Sequence, residues 1–124
     1  MGAVKHHERP LVYIAAPYAH PDPVENTHRA IKAADKLHAT GLVTCHVPHL
    51  SMLWHLVSPH PVDHWYEYDE AVLKRCDALY RMAGASMGAQ AEQALARGWG
   101  IPTFVHLPDV VEWAEDGCDV AATA

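Results

Sequence analysis

A chain of 124 residues, half of them hydrophobic, is long enough for one buried core and too short for two. The formal charge of −6 and the lack of any Lys/Arg cluster beyond Lys74-Arg75 argue against a nucleic-acid groove or an anionic membrane surface, which leaves small-molecule ligands. No apolar run approaches a membrane span, the start Met1-Gly2-Ala3-Val4-Lys5 is no secretory signal, and Cys45, Cys76 and Cys118 lack CxxC spacing, so a reduced, cytoplasmic protein is expected.

Residues 1–10 read as a polar lead-in to a single domain whose core spans about 11–115. Leu11-Val12-Tyr13-Ile14-Ala15-Ala16 is a continuous apolar run stopped by Pro17, the pattern of a central strand buried on both faces of a parallel sheet. Asp22-Pro23-Val24-Glu25 combines a capping acid, a proline at the first helical position and a Glu in the first turn, and the helix it starts should stop at Gly41. Residues 42–47 form the second strand, which completes one βαβ unit.

Residues 48–62, with three prolines and only weak helical periodicity over 51–56, read as a long loop, a candidate lid over a site. Asp63 is placed to cap a helix running into Asp77, and Cys76 to Met82 is the third strand. Ser86 caps a helix ending at Gly98, 101–106 is the fourth strand, and Asp109 opens a short final helix before a frayed tail from Gly117. Alternating strands and helices make this a single-domain α/β flavodoxin/Rossmann-like three-layer sandwich with a four- to five-stranded, mainly parallel sheet.

The helix from Ser86 to Gly98 holds one carboxylate, Glu92, in a small-residue stretch whose other charge is Arg97 near its end, with Gly88 one turn before Glu92 on the same face. The missing side chain at Gly88 leaves room above the carboxylate. Because the loop between the third strand and this helix lies at the carboxyl edge of the sheet, where open α/β folds bind ligands, Glu92 is the leading candidate for chemistry. Ala16 and Tyr18 after the first strand and His46 in the second are further candidates at that edge. Trp54, Trp65, Tyr66 and Tyr18 are candidates for stacking on a planar ring.

The strand Val12 to Tyr18, the acid-led strand from Asp77, and Ser86-x-Gly88 placed six residues before Glu92 together resemble the nucleoside 2-deoxyribosyltransferase-like superfamily over about residues 11–106. The resemblance implies cleavage of an N-glycosidic bond with Glu92 as nucleophile, Asp77 as partner acid and Tyr13 holding the nucleophile. It also sets Ser86 where the superfamily's nucleoside 5′-monophosphate hydrolases carry a phosphate-contacting serine. The chemistry is coherent, because a carboxylate stabilises or captures the positive charge that builds at C1′ while a second acid protonates the departing base. The expected activity is hydrolysis of a nucleoside or (deoxy)nucleoside 5′-monophosphate with no cofactor, in a homodimer or larger homo-oligomer.

Three other readings stay open. One is a deoxyribosyltransferase that exchanges bases, although the C-terminus lacks the Asn or acid-rich end that transferases lend to a neighbouring subunit. Another is a non-catalytic nucleotide-binding protein on the same fold. The last is a metal site built from His46, His49, His55, His60 and His64, which no HExxH or paired cysteines support. Protonating all eleven histidines would carry the formal charge from −6 to +5, so solubility should vary strongly near pH 6.

Overall fold

The computed structural model describes residues 4–118; the tail expected to fray therefore lies mostly outside the described residues. Four strands, β1 (Leu11–Ala15), β2 (Thr44–His46), β3 (Ala78–Arg81) and β4 (Thr103–Phe104), form one sheet in the order β2-β1-β3-β4. Every pairing is parallel, with Tyr13 opposite His46 on one side and Leu79 on the other. The first strand is thus central, as its unbroken apolar run requires.

The helices are α1 (Pro23–Ala39), α2 (Ser51–Val57), α3 (Val62–Leu73), α4 (Met87–Gly98) and α5 (Leu107–Glu115). Alternation along β1 divides the core in two. Val12 and Ile14 face one side with Ala30 and Leu37 of α1 and Val110 and Trp113 of α5. Tyr13 and Ala15 face the other, with Leu73 of α3 and Ala89 and Ala96 of α4. The result is a three-layer sandwich, and no helix among the described residues is long and apolar enough to cross a membrane.

Local chemistry explains the helix ends. Asp22 Oδ1 accepts from Val24 N at 2.9 Å, and Pro23 opens α1 where a missing N–H costs nothing. Ser86 Oγ accepts from Ala89 N at 3.1 Å at the start of α4. Other expectations are displaced. Helix α4 includes Gly98, and the left-handed residue after it is Gly100, at φ +75°. Asp63 and Asp109 sit inside first turns capped by Pro61 and His106, because Pro61 and Pro108 allow those helices to begin earlier than the acids suggest.

The segment expected to be a loop is largely helical. Pro48–Leu50 forms a single 3₁₀ turn that leads directly into α2. Helix α2 buries none of its residues, and Leu53, Leu56 and Val57 stand exposed on it.

Gly84, in the β3–α4 loop, is held at φ +125°, and a Cβ there would lie 2.8 Å from Cγ of Pro17 in the β1–α1 loop. Both the conformation and the contact demand glycine. Gly84→Ala should destabilise the fold by about 1–3 kcal/mol, read as a lower urea midpoint with an unchanged slope.

Candidate active site

The carboxyl edge of the sheet opens into a cavity of about 650 Å³. Its walls are the β1–α1 loop from Ala16 to His20, the stretch Pro48 to His55, one stripe of α3, and the start of α4 from Ser86 to Glu92. The β1–α1 loop is fixed from beneath: the buried Asn26 amide donates to the carbonyls of Tyr18 and His20, each at 2.9 Å. His49 Nε2 meets the carbonyl of Pro17 at 2.9 Å. On the far side, the Arg81 guanidinium donates to the carbonyls of Met82 and Gly84 and sets the β3–α4 loop. Arg81 thus sets that loop, and its charge also pulls the Glu92 carboxyl downward.

At the centre, the Tyr13 hydroxyl donates to Glu92 Oε2. Tyr13 is fully buried at the middle of the central strand, so its ring carries the hydroxyl from the core floor to the cavity at a fixed height. Asp69 of α3 lines the same cavity, and one of its oxygens is buried with no hydrogen-bond partner among the described residues.

Burial dominates the electrostatics here. It pushes the Asp69 carboxyl up to about 7. Glu92 is also raised to about 7, by burial first; the Tyr13 hydrogen bond pulls against that rise and the charge of Asp69 adds to it. The Tyr13 hydroxyl is held far above its ordinary value by burial and then by the facing carboxylates, so it stays a proton donor across the physiological range. Two buried acids raised towards neutrality beside a fixed phenol are the kind of perturbed cluster from which acid–base chemistry is built.

Of the residues singled out from sequence, Glu92, Ser86, Gly88, Tyr18, Ala16 and Trp65 all line this cavity, and Tyr13 reaches it through Glu92. A Cβ on Gly88 would meet nothing closer than Ser86 Oγ at 3.9 Å, so the space there is open. His46 is not in the cavity wall; its ring packs against that of Tyr13 with centroids 5.6 Å apart, and it faces a second cavity of about 460 Å³ between α1 and α2.

Asp77 is misplaced for the role of partner acid. It is exposed at the amino end of β3, where Oδ2 accepts from Leu11 N at 2.7 Å, at the opposite edge of the sheet from the cavity. Four residue steps of about 3.3 Å each separate it from Arg81 at the carboxyl edge. The acid that the cavity does contain, Asp69, was overlooked in the sequence, yet a signal was present. Val62, Trp65, Tyr66 and Asp69 fall at i, i+3, i+4 and i+7, one stripe of a helix, and all four line the cavity.

Among the described residues no three His, Cys, Asp or Glu side chains are grouped to hold a metal ion. The histidines expected as possible ligands instead engage locally: the rings of His60 and His64 stack at 4.0 Å, and His55 Nδ1 accepts from Trp65 Nε1 at 2.9 Å.

Replacing Tyr13 by Phe removes the hydrogen bond that stabilises ionised Glu92. If Glu92 acts as an anion, activity should fall about 10- to 100-fold, and the acid limb of its pH profile should move to higher pH. A profile that keeps its position would show that the hydroxyl does not tune Glu92.

The chain matches the protein family described as "Domain of unknown function (DUF4406)" over residues 10–105, most of its length, and belongs to that family. No curated protein matches it. Among solved structures, it is similar to a 2-deoxyribosyltransferase from the psychrotolerant bacterium Bacillus psychrosaccharolyticus, at 16% identity and a TM-score of 0.55, over 75% of this chain and 69% of that one. At that identity the likeness establishes a shared fold, which agrees with the α/β architecture expected from the sequence.

Proposed function

We propose that this protein hydrolyses the N-glycosidic bond of a nucleoside or a (deoxy)nucleoside 5′-monophosphate and releases the free base. The observation that supports it most directly is the convergence on one cavity of Glu92, bonded by the Tyr13 hydroxyl, with Asp69, a second carboxyl also raised to about 7. The name of the transferase that shares the fold adds weight.

In this reading a Glu92 carboxylate oxygen bonds to C1′ as the glycosidic bond breaks and its electron pair leaves with the base. Protonated Asp69 gives its proton to the departing base. The resulting Asp69 carboxylate then takes a proton from water, whose oxygen attacks C1′ and frees Glu92. Tyr13 positions Glu92 throughout and keeps its own proton.

Ser86 and Gly88 stand at the start of α4, where backbone N–H groups favour an anion, and are the seat for a 5′-phosphate if the substrate carries one. No Lys or Arg lines the cavity among the described residues, so a phosphate there would rest on N–H and hydroxyl groups alone. A homodimer or larger homo-oligomer belongs to the same proposal, with exposed Leu53, Leu56 and Val57 as the surface that it would cover.

The test is chromatography of base released from ribo- and deoxyribonucleosides and their 5′-monophosphates, with and without a second base. Release by the wild type that Glu92→Gln loses is the expected result. Transfer to the added base would make the protein a transferase, and no release from any substrate would remove the glycosidase reading.

A further inference from the structure

His55 lies on α2 and lines the cavity beside His60 and Trp65. Its Nδ1 accepts from the indole N–H of Trp65 at 2.9 Å and from the backbone N–H of His60 at 3.3 Å. Neither partner has a lone pair to offer, so Nδ1 must be unprotonated and the neutral ring carries its hydrogen on Nε2. No described residue accepts from Nε2, and that atom is not sealed from solvent. The cavity wall therefore presents one oriented donor whose tautomer is set by the groups behind it.

Its place along the wall suggests what it reads. On α3, Asp69 and Trp65 are four residues apart on one face, separated by about one helical turn or ~5.4 Å. With C1′ at Glu92 and the glycosidic nitrogen near Asp69, a base extending along this stripe brings its far edge to Trp65 and His55. The walls at that end, Met52, Val62, Trp65 and Tyr66, suit a flat, weakly polar ring. The far edge of a purine or pyrimidine carries either an oxo group, which accepts, or an amino group, which donates.

We propose that His55 is a specificity-determining residue whose Nε2–H donates to the far-edge oxo group of the base, so that the cavity selects 6-oxopurines and 4-oxopyrimidines over their amino counterparts. An amino group there would set donor against donor and leave both unpaired, a mismatch that polar sites reject strongly. Trp65 cannot take this role, since its only donor is committed to His55.

The proposal rests on the cavity being a nucleoside site, and its test is direct binding of free bases. Calorimetric titration should show hypoxanthine binding about tenfold or more tightly than adenine, and uracil than cytosine. His55→Phe should bring both ratios close to one through weaker binding of the oxo bases. A merely structural loss would weaken all four alike and leave the ratios standing.

Should His55→Phe fail to fold, the wild type labelled with ¹⁵N-histidine decides. The His55 Nε2–H resonance should be present and should move on addition of hypoxanthine. Equal affinities, a preference for the amino bases, binding of none of the four, ratios unchanged in His55→Phe, or an unprotonated Nε2 would each overturn the proposal. The glycosidase reading fails by a different result, the absence of Glu92-dependent base release.

Discussion

Glu92→Gln is expected to lower base release by at least about 10³-fold, equivalent to roughly 4 kcal/mol of barrier, while leaving the protein folded and no less stable. The amide matches the carboxylate in shape and still offers an oxygen to the Tyr13 hydroxyl, so the α4 geometry and its packing on β1 persist. It cannot supply the negative oxygen that, in the proposed mechanism, bonds to C1′. Because burial raises the Glu92 carboxyl to about 7, its ionisation in the native state is disfavoured, and at pH 8 the neutral amide removes that penalty. The combined outcome, lost turnover with an equal or higher melting temperature at pH 8, separates a catalytic role from a structural one. A residue retained for stability would show the reverse, with turnover kept and stability lost.

Glu92 was legible because it is the single carboxylate in a small-residue helix that follows a strand and a capped loop, and each of those signals is local. The central strand, the Asp22-Pro23 start and the Ser86 cap were legible for the same reason. Strand lengths were not. The apolar stretches 42–47 and 101–106 yield only Thr44–His46 and Thr103–Phe104, since an edge strand extends only as far as its one neighbour pairs with it. The proline-rich stretch before α3 misled in another way: its prolines mark the ends of short helices rather than a continuous loop.

The two aspartates show where a sequence reading needs geometry. Asp77 opens a strand, and the first residue of a parallel strand lies at the amino edge, away from the ligand edge; topology alone rules it out of the cavity. Asp69 lies on a helix whose cavity-facing stripe is apparent only once α3 is known to pack beside α4 at that edge. Resemblance of a motif suggested the chemistry of a second acid but placed it on Asp77, which does not line the cavity.

Asp69→Asn should reduce turnover of natural nucleosides by about 10²–10⁴-fold, the range for loss of a general acid. The loss should shrink sharply with a glycoside whose leaving group departs without protonation, such as a p-nitrophenyl riboside. The wild-type profile should fall on its alkaline side as Asp69, raised to about 7, gives up its proton, and the Asn variant should lack that limb. Stability supplies an independent check. The native state holds the Asp69 proton up to about pH 7, whereas an unfolded aspartate releases it near its ordinary value of 3.8. Between those values the folded protein binds more protons than the unfolded one, so this group's contribution to stability falls as pH rises through the window. Burial of His49 and His46 holds their imidazoles below the ordinary value and acts in the opposite sense, favouring the fold as pH rises. The comparison must therefore be between variants. Relative to wild type, Asp69→Asn should gain in urea midpoint steadily from pH 4 to pH 7, and a constant difference across that range would show that Asp69 is not held protonated in the fold.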